Sequence, residues 1–95
     1  MATVLTLNPQ KITLADTNEV EYSADDILEA LGFQNGIACF DSFSAATQIN
    51  VNGQAITSAS GSYSSGTIFL PIKKGYPIKL KGSADATLNI AIQRP

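Results

Sequence analysis

The chain has 95 residues and a net charge of −2, with a single cysteine and no histidine. That length makes one domain burying roughly 60–65% of its unfolded surface. A lone thiol excludes an internal disulfide and leaves zinc without a ligand set, and no histidine-based catalytic pair can form.

Thr3 to Leu7 alternates threonine with aliphatic residues and predicts a first strand. Met1 to Leu7 has neither the basic start nor the continuous apolar run of a secretion signal. Asn8-Pro9 breaks the strand, because proline lacks a ladder donor and holds its predecessor extended. Gln10 to Ala15 predicts a second strand with Ile12 and Leu14 on one face, and Asp16-Thr17-Asn18 supplies turn chemistry. Glu19 to Tyr22 predicts a third, with Val20 and Tyr22 inward. Asn8-Pro9 separates the first segment from any obvious partner. The strands of residues 2–22 are therefore candidates for docking on a neighbouring chain's sheet edge.

One short helix is predicted at about residues 24–31, capped by Ser23, with Asp25 and Asp26 opposing its positive end. Ile27, Leu28 and Leu31 form its apolar stripe and Gly32 its left-handed stop. Two turns do not stand alone in water, so this helix must dock on a sheet and plug its open end. Gly36 to Phe43 is apolar on both faces, as a central strand requires, and places Cys39 as a buried, inert thiol.

Gln48 to Ile56 carries the clearest hairpin signal, because Asn52-Gly53 suits the two-residue turn that strand twist favours. Ser58 to Gly66 holds five serines and two glycines in nine residues and predicts a polar loop around Tyr63. Thr67 to Gly82 is the most strongly patterned stretch, two strands broken at Lys74-Gly75. Ile68, Leu70 and Ile72 face one side, Phe69 and Pro71 the other, and Pro71 argues for an edge or a bulge. Ile78 and Leu80 point inward with Lys79 and Lys81 outward, and Leu88, Ile90 and Ile92 close the chain. Together these predict an antiparallel, jelly-roll-like β-sandwich of about seven to nine strands, one domain over residues 1–95.

Chemistry-bearing motifs are sparse. Gly61 to Gly66 has neither the lysine nor the following helix of a phosphate loop. The acidic run Asp16 to Glu29 lacks calcium-loop spacing, so no metal and no cofactor is expected. No apolar run approaches the ~20 residues that cross a bilayer, so no membrane partner is expected. Lys73, Lys74, Lys79 and Lys81 around Tyr76 read as a solvated face that guards strand edges rather than a nucleic-acid surface. Six of the eight acidic residues lie between Asp16 and Glu29, and five of the six basic ones between Lys73 and Arg94. The two halves can meet within a chain or between chains, or simply be solvated.

The order from Gln48 to Arg94 carries a resemblance. An Ile49-Asn-Val-Asn-Gly53 hairpin precedes a Ser/Gly excursion, then Phe69-Leu-Pro-Ile-Lys-Lys-Gly-Tyr-Pro-Ile-Lys-Leu-Lys-Gly82 and a final alternating strand. This resembles the jelly-roll modules of bacteriophage virion proteins, especially the trimeric ends of tail and head fibres. It covers about half the chain, roughly residues 48–94, and departs at Tyr76, where an aspartate is commoner, and in the acidic helix. The resemblance implies a homotrimer packed through apolar strand faces, which agrees with a small β domain's need for more burial.

The expected function is a non-enzymatic virion structural protein, made in the host cytoplasm, that decorates or projects from the capsid and contacts other virion proteins. Ile68, Phe69, Leu70 and Ile72 are the candidate subunit interface. The alternative is a fibre tip that binds a host receptor or surface glycan through Tyr63, Asn52 and Tyr76. A hydrolytic or metal-using enzyme built on Asp25 and Asp26 is the rival from another class.

Overall fold

The alternation of aliphatic with polar residues gives most strands one apolar row, and two sheets bury those rows against each other. A computed structural model describes residues 2–58 and 67–95. Its strands are β1 (Thr3–Val4), β2 (Gln10–Thr13), β3 (Val20–Ser23), β4 (Asn35–Asp41), β5 (Thr47–Val51), β6 (Gln54–Ser58), β7 (Ile68–Lys73), β8 (Ile78–Gly82) and β9 (Thr87–Gln93). One sheet runs β1-β3-β8-β5-β6 and the other β2-β9-β4-β7. Every pair is antiparallel except β1 with β3. From β2 to β9 this is the eight-stranded jelly roll, two interlocked Greek keys. The predicted β-sandwich is the fold.

The inner rows meet in one cluster. Ile12, Leu14, Phe40, Ile49, Ile78, Leu80, Leu88 and Ile90 are each at most 3% exposed, so almost no inner position is left to water. Thr47 is the one buried polar residue among them, and its Oγ1 donates to the Ala45 carbonyl at 3.1 Å. At the tip of the β5–β6 hairpin, Asn52 and Gly53 both take positive φ, 50° and 87°, the backbone of the expected primed turn.

The N-terminal strands pair within their own chain, β1 at the edge of one sheet and β2 at the edge of the other. Leu5 is 1% exposed and its N–H donates to the Ser23 carbonyl at 2.9 Å, while β2 lies against β9. Asn8 extends that contact through its side chain. Its Nδ2 donates to the Ile92 carbonyl at 2.9 Å and its Oδ1 accepts the Ile92 N–H at 2.8 Å, as a strand backbone would. The segment that looked unpartnered in sequence is thus tied down on both sides of Pro9.

The helix α1 (Asp25–Leu31) closes one end, with Ile27 and Leu28 buried and Leu31 packed on the core. Its start differs from expectation. Ala24, 3% exposed, occupies the cap position because its methyl belongs to the core, and the Ser23 Oγ accepts the Asp25 N–H at 3.3 Å. Its stop is as expected. Gly32 is left-handed, its N–H donates to Glu29, and the Phe33 N–H donates to Leu28, which satisfies the last carbonyls.

Gly36 is where helix, β4 and β9 crowd together. A Cβ there would stand 2.7 Å from the Gln93 carbonyl oxygen and 3.0 Å from Leu28 Cδ2. Gly36→Ala is therefore expected to cost about 1–3 kcal/mol in urea unfolding, as overpacking does. An unchanged midpoint would mean that β9 yields freely at Gln93.

Candidate functional site

The outer faces of the two sheets differ. On the β1-β3-β8-β5-β6 sheet, Glu21 lies opposite Lys79, Asn50 opposite Lys79 and Gln48 opposite Lys81, a charged and amide-rich surface. On the other sheet the outer row of β4 is Ile37, Cys39 and Asp41. Cys39 stands between Ala91 of β9 and Phe69 of β7, and Ile37 beside Pro71. An apolar stripe therefore crosses three strands, with Cys39 buried and Ile37 and Ala91 half-buried. Phe69 is 59% exposed and Pro71 is exposed too.

Of the four residues expected at a subunit interface, only Phe69 is available. Ile68, Leu70 and Ile72 are 7%, 8% and 3% exposed, committed to their own core by the period-two alternation of β7. The surface beside Phe69 is instead completed by Pro71 of β7 itself, Ile37 of the neighbouring β4 and Ala91 of β9, one strand further. Sequence patterning shows which residues of a strand share a face. It does not show which strand lies beside it. β7 is an edge strand, as Pro71 predicts.

The turn end of the sandwich gathers the second set. The Lys74 N–H donates to the Gln34 carbonyl at 2.9 Å, and the Asn52 N–H to the Pro77 carbonyl at 3.3 Å. The β5–β6 and β7–β8 turns are therefore neighbours. Asn52 and Tyr76 consequently line one open groove of about 300 Å³, with Asn35, Gln54 and Lys73 beside them. Its floor includes Val51 and Ile72, both buried. Tyr63 lies outside the described residues.

Tyr76 also lines a smaller groove of about 190 Å³, with Tyr22, Glu21 and Asp25. Burial pushes the Tyr22 phenol up from its ordinary pKa, so the folded state favours the neutral ring. Its contribution is intact below the ordinary tyrosine range and is lost as pH rises through the folded value.

The acidic helix and the basic turn meet within the chain. The Asp25 Oδ1 accepts the Gly75 N–H at 3.0 Å, and Glu29 forms an ion pair with Lys74. That hydrogen bond, and then the Lys74 charge, hold the Glu29 carboxyl below its ordinary pKa. Asp25 of the candidate enzyme site and Glu29 of the same acidic run thus serve to fasten the helix. Among the described residues no three acidic or cysteine side chains converge to hold a metal.

Two outcomes are expected. A lowered carboxyl pKa stabilises above the unfolded value and is lost as pH falls through the folded one. The small stability difference between the native chain and Glu29→Gln should therefore be present near neutrality and vanish in acid, as read by urea titration at both. A difference that persists in acid would sink the assignment. Cys39 is 5% exposed, and burial, followed by the Asp41 charge, pushes its thiol pKa up. It should react with a thiol reagent far more slowly in the native chain than in urea, and faster in Phe69→Ser, which uncovers it.

In comparisons with known proteins, no family model, no curated protein and no solved structure matches this chain.

Proposed function

We propose that this chain is a non-enzymatic structural component of a bacteriophage virion, a small homotrimer that decorates or projects from the capsid. The observation that carries the reading is the apolar stripe Ala91–Cys39–Phe69 with Ile37–Pro71 beside it on one outer face, where Phe69 and Pro71 stand exposed. The opposite outer face is solvated by Lys79, Lys81, Gln48 and Asn50. A monomer has no use for such asymmetry. A chain that turns one sheet toward copies of itself does.

The jelly-roll topology supports the same reading. It agrees with the fold implied by the resemblance of residues 48–94 to phage virion modules, and this architecture builds viral capsid domains as well as lectins and cupins. Fold alone does not choose among those uses. The apolar stripe tips the choice toward assembly. Three copies with this sheet turned inward would bury Phe69 near a common axis and leave the charged sheet outward, toward solvent or other virion proteins.

Light scattering at micromolar concentration should give three times the 10.0 kDa chain mass. Phe69→Ser should give the monomer with unchanged circular dichroism, because a side chain 59% exposed contributes little to the folded monomer. A native chain that sediments as a monomer would overturn the trimer.

A further inference from the structure

The groove beside Tyr76 lies at the turn end of the sandwich, next to the Pro71 and Lys73 end of the stripe. Three residues with carboxamide side chains, Asn35, Asn52 and Gln54, line it, and none of those side chains holds a hydrogen bond among the described residues. Each offers both a donor and an acceptor. Lys73 adds a cation that makes no ion pair among the described residues, and no carboxylate lines the space. The Tyr76 ring and the Ile72 side chain provide an apolar wall.

About 300 Å³ is the lower bound of ordinary small-molecule sites. It suits one six-membered ring and not a dinucleotide. A phosphate would need backbone N–H groups with the lysine, and those of the flanking turns are engaged. The Gly53 N–H donates to Asn50 Oδ1 at 3.0 Å and the Gly75 N–H to Asp25 Oδ1 at 3.0 Å. What remains is a set of paired donors and acceptors for hydroxyls, an aromatic and aliphatic wall for a C–H face, and one cation.

We infer that this groove binds a carboxylated pyranose, an acidic sugar unit of the uronic or sialic class. Its carboxylate pairs with Lys73, its hydroxyls with the three carboxamides, and its ring packs on Tyr76. The adjoining groove, lined by Glu21 and Asp25, repels the same ligand. Tyr76 thus divides an anion-accepting surface from an anion-excluding one. The inference stands on the groove alone and does not depend on the virion reading.

The test is an NMR titration of the full chain with three probes: the methyl glycoside of glucuronic acid, the methyl glycoside of glucose, and acetate. The acidic sugar should shift the side-chain amides of Asn35, Asn52 and Gln54 and the ring protons of Tyr76. The neutral sugar should do so about tenfold more weakly, the loss of one exposed charge-assisted contact. Acetate should leave the carboxamides unmoved. Lys73→Gln should reduce the acidic sugar to the level of the neutral one, and Gln54→Ala should weaken both. Both side chains are exposed, so folding is not at stake. No shift with either sugar, acetate matching the acidic sugar, or a Lys73→Gln chain that keeps its preference would each overturn the inference. These outcomes are read from sugar-dependent shifts and the trimer from the mass of the native chain, so the two proposals fail separately.

Discussion

The closure of two inner faces on each other is the constraint on which everything else depends. With no disulfide and a short chain, stability comes from apolar burial at about 1.5–3 kcal/mol per fully buried aliphatic side chain. Backbone ordering opposes it at about 1–2 kcal/mol per residue. Hence nearly every inward position from Leu5 to Ile92 is apolar and close to fully buried. Phe69 is one of four large apolar side chains exposed among the described residues, with Val4, Leu7 and Ile56, and the only aromatic one of these. Phe69 on the outer face is therefore informative in a way that an exposed leucine on a larger protein would not be.

The same closure decides which distant residues become neighbours. Jelly-roll winding carries the β5–β6 turn, the β7–β8 turn and α1 to one end, although fifty positions separate Asp25 from Gly75. The end is fastened by backbone-directed contacts, from Asp25 to Gly75, Lys74 to Gln34 and Asn52 to Pro77. A groove built between elements held this way is preorganised, because neither turn can move without breaking bonds to the other. That fixed spacing lets three carboxamide residues on different strands and turns line one groove, and a flexible loop would not hold them together.

Much of this was legible in the residues themselves. The Asn52-Gly53 hairpin, the Gly32 helix stop, the inward rows of β8 and β9 and the edge position of β7 each follow from local chemistry that tertiary context had no reason to override. What escaped is of one kind. The Asn8 carboxamide that imitates a strand, the Ala24 methyl that displaces Ser23 from the cap, and the assignment of Ile68, Leu70 and Ile72 to the chain's own core all depend on a partner far along the chain. The pairing of Cys39 with Phe69 and Ala91 is likewise a property of strand order, which a period-two pattern does not encode. The groove was half legible. Asn52 and Tyr76 stood out singly, but Asn35 and Gln54 carry no sequence signal beyond being polar residues at strand ends.

The segregated charge acquires its meaning from the same strand order. An acidic N-terminal half and a basic C-terminal half could have been complementary surfaces of two different subunits. Antiparallel pairing of β3 with β8 instead places Glu21 opposite Lys79, and the β7–β8 turn sets Lys74 on Glu29, so part of that complementarity is satisfied inside one chain. The sheet carrying β3 and β8 is thereby left charged, hydrated and ill-suited to association, because covering it would strip water from Lys79 and Lys81. The other sheet offers the reverse on its outer face, with the Asp41 charge at one end of the stripe and the Lys73 charge at the other. Charges at both ends of an apolar stripe add little to its affinity, but they penalise any docking register that sets like against like. Were copies of the chain to associate through the stripe, burial along it would drive the contact and its two ends would select the register.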